Sequence, residues 1–162
     1  MFSTLLRFTT ALLLFTILAA CSSSKTDDPK PAPAGMSWTV DGAVISTTNL
    51  QSQKSGTEFS VAGTLTNGAS VAYLGLEIPN AVGTYTFGPL SAASATYSTN
   101  TGGTVAVYYA GASGSGTFTG AGTIVVTALT ATNATGTFTF TGINPNTGAS
   151  KSISNGSFNV GL

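Results

Sequence analysis

Histidine is absent from the chain and cysteine occurs once. Without histidine the protein lacks the commonest general base and the commonest metal ligand. Ser-His-Asp triads, Cys-His pairs and imidazole-based zinc sites are therefore excluded. A single thiol forms no disulfide within the chain. Charge is scarce too: five basic and five acidic side chains serve 162 residues. From Ile78 to Ser150 there is none, so Thr, Ser, Asn and backbone groups must meet water there. From Cys21 onward, Lys25, Lys30, Lys54 and Lys151 stand against Asp27, Asp28, Asp41, Glu58 and Glu77. This near-neutral balance argues against a nucleic-acid partner, whose affinity comes from clustered Lys and Arg on phosphates.

The few remaining reactive groups make a poor set for catalysis. A glycosidase needs two carboxylates across a sugar bond. Glu58 and Glu77 are the pair within reach of one hairpin, and solvated strand residues that break up an exposed face are the plainer reading of both. Ser55 with Lys54, and Ser150 or Ser152 with Lys151, are adjacent in sequence, and adjacent strand residues point to opposite faces. The glycine-rich run GASGSG at 111–116 is followed by neither a lysine nor a helix, so it lacks the groups that hold phosphate. Asp27-Asp28 is too sparse for calcium, which takes roughly six to eight oxygens. The sequence thus predicts no enzyme, no cofactor and no metal.

What the chain does have begins at its N-terminus. Arg7 precedes an uncharged run, Phe8 to Ala20. That run is too short to cross a bilayer, which takes about 20 apolar residues. It suits the core of a secretory signal, roughly 7–15 residues behind a basic start. It ends in Leu18-Ala19-Ala20-Cys21. These four residues resemble the bacterial lipobox, an aliphatic residue and two small residues before a cysteine. The resemblance implies that residues 1–20 are removed and that Cys21 becomes the acylated first residue, an anchor and not a nucleophile. Each buried methylene contributes about 0.8 kcal/mol, and stable anchoring takes two chains or a second signal. The expected partner is then a membrane, reached through lipid, and the expected location is the outer membrane, with the domain on either the outer surface or the periplasmic side.

Residues 21–35 carry prolines at 29, 31 and 33 among polar and charged side chains. Proline favours extended polyproline II, so a disordered, semi-rigid tether is predicted. Its charges Lys25, Asp27 and Asp28 resemble the short acidic runs that direct some Bacteroidota lipoproteins to the cell surface. These three charges form a candidate export signal.

Residues 36–162 read as one all-β domain. Gly and Thr are dense, and apolar residues alternate, as in half-buried strands. Trp38 and Val40 flank Thr39; Phe59, Val61 and Leu65 share a face; Leu74, Leu76 and Ile78 share the next, ended by Pro79-Asn80. Tyr85 and Phe87, then Val105, Val107 and Tyr109, then Phe138 and Phe140, then Ile153, Phe158 and Val160 continue the pattern. Ile124 to Leu129 is apolar on both sides and is expected to be more deeply buried. Asp41-Gly42 and Asn67-Gly68 are predicted as the central pairs of tight hairpins. The phrase glycine, hydroxyl, aromatic recurs as GTYTF at 83, GTFTG at 116, GTFTF at 136 and GSFNV at 156. It is read as a strand opener, with glycine freeing the turn and the aromatic entering the core. These signals predict an antiparallel two-layer β-sandwich of roughly eight to ten short strands, with an up-and-down barrel as the alternative.

The stretches MSWTVDGA, PNAVGTYTFG, GTFTFTG and ISNGSFNV also resemble a family of small Bacteroidota lipoproteins catalogued as a domain of unknown function. The resemblance spans most of the chain after Cys21 and implies an envelope lipoprotein with an all-β fold. It implies no activity and no site residues. With Val107 and Leu74 placed inward, Tyr108 and Tyr73 are expected to point outward, where aromatics stack on sugars or anchor proteins. The functional expectation is a non-catalytic structural or accessory lipoprotein of the envelope. The alternative is a surface-displayed module that binds a glycan or a protein partner.

Overall fold

A computed structural model describes residues 33–113, 116–117 and 120–162. The lipobox, Cys21, and the charges Lys25, Asp27 and Asp28 lie outside the described residues. In chain order the strands are β1 (Gly35–Val40), β2 (Ala43–Thr47), β3 (Leu50–Ser55), β4 (Glu58–Asn67), β5 (Ser70–Pro79) and β6 (Gly83–Phe87). Then follow β7 (Ser94–Thr101), β8 (Thr104–Ser113), β9 (Gly116–Thr117), β10 (Ala121–Leu129), β11 (Asn133–Ile143) and β12 (Ser150–Gly161).

The strands pair antiparallel in the order β2-β1-β12-β11-β8-β7-β5-β4-β3. One edge of β11 is shared. Ala134 to Thr141 pair with β10, which pairs in turn with β6, whereas Ile143 pairs with Tyr109 of β8. The sheet therefore divides at β11 into two leaves, β6-β10-β11-β12-β1-β2 and β8-β7-β5-β4-β3. The far edges approach each other again. Thr47 Oγ1 donates to the Thr64 carbonyl at 2.6 Å, and the Ser52 hydroxyl donates to the Gly161 carbonyl. The all-β antiparallel architecture is the predicted one, and the sheet closes so nearly that a two-layer sandwich and a flattened barrel both describe it.

The core fills the space between the leaves. One side supplies Trp38, Phe87, Ile124, Phe138, Phe140, Ile153 and Phe158; the other supplies Phe59, Val61, Leu74, Leu76, Ile78 and Tyr97, all buried. Each such apolar side chain contributes about 1.5–3 kcal/mol by leaving water. Phe87 meets Phe140 edge-on, centroids 5.7 Å apart. The Trp38 indole N–H, fully buried, has no hydrogen-bond partner among the described residues.

Several local expectations are corrected. The β4–β5 hairpin turns one residue later than Asn67-Gly68. Asn67 opposes Ser70, so the loop pair is Gly68-Ala69, and only Gly68 has positive φ, 59°. That is the pattern of a type II′ loop, with glycine at the first central position. Asp41-Gly42 does form its loop, with φ of 51° and 78°. Ile124 to Leu129 is not buried on both sides. Ile124 and Val126 are buried, whereas Thr127 and Ala128 are exposed beside an irregularity between Val126 and Ala128. In β8 the inward set is the opposite of the one expected. Ala110 is buried and Tyr108 packs against the core, while Val105 is 60 % exposed. Both alternating sets of β8 are apolar, so periodicity could not choose between them. Pairing with β7 does, because Ala95 and Tyr97 face inward opposite Ala110 and Tyr108, and a shift of one residue would reverse every side chain.

The glycine-hydroxyl-aromatic phrase opens β6 and β9, but at 136 and 156 it lies inside β11 and β12. There it has a cross-strand meaning. Gly136 opposes Phe158, Thr137 opposes Ser157, and Phe138 opposes Gly156. Each ring covers the partner strand's glycine: a Cβ built on Gly136 would lie 2.5 Å from Phe158 Cζ, and one on Gly156 would lie 2.3 Å from Phe138 Cδ2. In β12 an extra residue at Ser154–Asn155, with Asn155 at φ 50°, shifts the register against both neighbours. This bulge lets Ile153 and Phe158, which a regular strand would place on opposite faces, both point inward.

Candidate functional site

Register on the second leaf aligns outward residues into rows that cross the strands. One row runs Gln53, Ser60, Glu77, Ser94; the next runs Gln51, Ala62, Gly75, Thr96; a third holds Thr64, Tyr73, Ser98. The middle row has only Ala62 and Gly75 at its centre, so it forms the floor of a trough between taller neighbours. The trough encloses about 470 Å³. Tyr73 lies along the sheet over Gly75, and a Cβ on Gly75 would come within 2.6 Å of the Tyr73 hydroxyl oxygen. Glycine in a strand weakens it, and its use there marks a close approach. Here the approaching group is the tyrosine ring.

Glu77 stands beside that ring. The buried Ser94 hydroxyl donates to Glu77 Oε2 at 2.9 Å, which orients the carboxylate and leaves its remaining lone pairs toward the trough. Burial first, and the Glu77 charge second, push the Tyr73 hydroxyl above its usual 10.0, so it is a protonated donor at neutral pH. Glu58 and Glu77 do come to one small hollow, with Gln53, Ser55 and Ser60 between and around them. Among the described residues no three metal-ligating side chains cluster.

Of the two candidate tyrosines, Tyr73 takes the outer face. Tyr108 does not: it stacks on buried Tyr97 with centroids 6.2 Å apart. Lys151 Nζ lies 5.9 Å from the Tyr108 ring centroid and donates to Asp41 Oδ2 at 2.7 Å. This chain of contacts covers one end of the core. Asp41's hydrogen bond raises the Lys151 pKa above 10.5. Burial is the main cause that raises Tyr97 above 10.0. A group whose pKa is raised by folding stabilises below its unfolded value and loses that contribution as pH rises through the folded one. The melting temperature should therefore fall once pH passes about 10, and Tyr97→Phe should blunt that fall in thermal melts read by circular dichroism. An identical alkaline fall in the variant would assign the effect elsewhere.

A larger hollow of about 750 Å³ lies over the first leaf, bordered by Pro33, Ser37, Thr47, Thr135, Ser157 and Asn159 among others. Its polar groups are largely spent on each other. Ser37 and Ser157 hydroxyls pair at 3.0 Å, and Asn159 Nδ2 donates to the Pro33 carbonyl at 3.3 Å. The trough around Tyr73 offers more unspent hydrogen-bonding groups in less space. Sequence reasoning reached only Tyr73 and the two glutamates. Gln51, Gln53, Ser60, Ser94 and Thr96 form no motif and come together only through register.

Residues 37–160 match the model of a family described as a domain of unknown function, DUF6252, and the chain belongs to that family. No curated protein and no solved structure matches it.

Proposed function

We propose that the protein is a non-catalytic accessory lipoprotein of the cell envelope, held at the outer membrane by lipid on Cys21. The observation that carries this reading is Leu18-Ala19-Ala20-Cys21 at the end of an uncharged run. The lack of histidine and the thin supply of carboxylates support a role without catalysis. In cells fed an alkyne fatty acid, the wild-type protein should be labelled and Cys21→Ala should not. Equal labelling of the two would remove the anchor. If Lys25, Asp27 and Asp28 direct display, the wild-type domain is digested by protease added to intact cells, and replacing the three by Ala protects it. A wild-type domain protected in intact cells but digested after lysis would favour a periplasm-facing structural role.

A second reading is a displayed module that binds a glycan or a protein partner. The trough around Tyr73 favours it, since concave sites with a few oriented polar groups are where ligands bind.

A further inference from the structure

We infer that the trough on the outer face of β3, β4, β5 and β7 binds a neutral polysaccharide, with one sugar ring stacked on Tyr73 and its hydroxyls bonded to Glu77, Gln53 and Thr96. This rests on the second reading above and names its ligand. Three features of the trough select that chemistry.

The first is the ring. Tyr73 is half-buried, lying over a glycine on the sheet side. A flat aromatic with one face against the backbone presents the other to a ligand, and the C–H face of a pyranose is the apolar partner that fits beside polar groups. The second is the hydrogen-bonding set. Gln51 and Gln53 each carry donors and acceptors, Ser60 and Thr96 add hydroxyls, and Glu77 is an acceptor already oriented by Ser94. Ligand hydroxyls, which donate and accept, match such a mixture. The third is charge. The trough is lined by one carboxylate and no lysine or arginine. Nothing there compensates a phosphate, sulfate or uronate, and Glu77 repels each of them. The volume, about 470 Å³, is within the range of small-molecule sites, roughly 300–1,000 Å³.

The test uses purified full-length protein in native gels cast with a soluble β-glucan, a soluble α-glucan or a galactomannan, with polygalacturonate as the anionic comparison. At least one neutral polymer should retard the protein, and polygalacturonate should not. Tyr73→Ala and Glu77→Gln should each weaken retardation about tenfold, equivalent to about 1.4 kcal/mol, while Tyr73→Phe keeps the ring and most of the binding. Both side chains face outward, and unchanged thermal melts would show that the variants fold. The inference is overturned if none of the three neutral polymers retards the protein, if polygalacturonate retards it more, or if Tyr73→Ala and Glu77→Gln bind as the wild type does. Loss of a co-purifying envelope protein in Tyr73→Ala, without polysaccharide binding in the wild type, would make the trough a protein interface instead. Binding by purified protein does not depend on lipid, so failure here leaves the anchor on Cys21 standing, and failed labelling of Cys21 leaves the trough standing.

Discussion

Replacing Phe138 with alanine should destabilise the domain by about 3–5 kcal/mol, the usual range for deleting a buried aromatic. The ring is 4 % exposed. It packs near Phe140, centroids 6.4 Å apart, and lies over Gly156 of the neighbouring strand. The cost sits at the upper end of what a core phenylalanine contributes because the site cannot collapse. Gly156 has no side chain to move into the vacancy, and Phe138 and Gly156 are held in register by the β11–β12 ladder. Phe138→Leu should recover part of the loss by refilling some of the volume. Urea denaturation followed by tryptophan fluorescence would measure both, since Trp38 is fully buried. A loss under about 1 kcal/mol for the alanine variant would mean that the ring is not a core member.

Phe138 was legible because β11 alternates cleanly, with Phe138 and Phe140 inward between exposed Thr137, Thr139 and Thr141. The same signal located β4 and β5. It failed where the physics behind it was weak. In β3, LQSQKS, no apolar alternation exists because five of its six residues are exposed, and the strand persists through its ladder with β4. In β7, SATYSTNT, the inward residues are the small Ala95 and then Tyr97, while Ser94 is buried on the outer face beside Glu77, so hydrophobicity hardly rises above its surroundings. These unseen strands account for twelve being present among the described residues where roughly eight to ten were expected. Val107, expected in the core, stands on the outer face opposite Ser98, for the same reason that Tyr108 turned inward: β8 is apolar on both sides. The trough inherits all these difficulties, since two of its four strands were not visible and its rows exist only once register is known.

Register also decides the last prediction, which concerns the reciprocal pair of glycines. Gly136→Ala should cost more than Gly156→Ala, although both substitutions add one methyl beneath a phenylalanine ring. The difference lies in what else the methyl meets. At Gly156 the nearest atoms are Phe138 ring carbons, the closest at 2.3 Å. A side chain can move to relieve that contact, at the cost of an unfavourable rotamer. At Gly136 the methyl would also come within 2.4 Å of the Val125 carbonyl oxygen, and that oxygen belongs to the backbone of β10. Relief there requires β10 and β11 to separate, which strains the ladder joining them. Overpacking costs about 1–3 kcal/mol when side chains can adjust and more when they cannot, so Gly156→Ala belongs inside that range and Gly136→Ala at or above its top. A double-mutant cycle separates the two mechanisms. Phe138→Leu combined with Gly156→Ala should cost less than the sum of the single changes, because the smaller side chain makes room for the methyl. Phe158→Leu combined with Gly136→Ala should recover much less, because the carbonyl clash remains. Equal recovery in the two cycles would show that the rings alone demand these glycines and that the β10 backbone has no part in it.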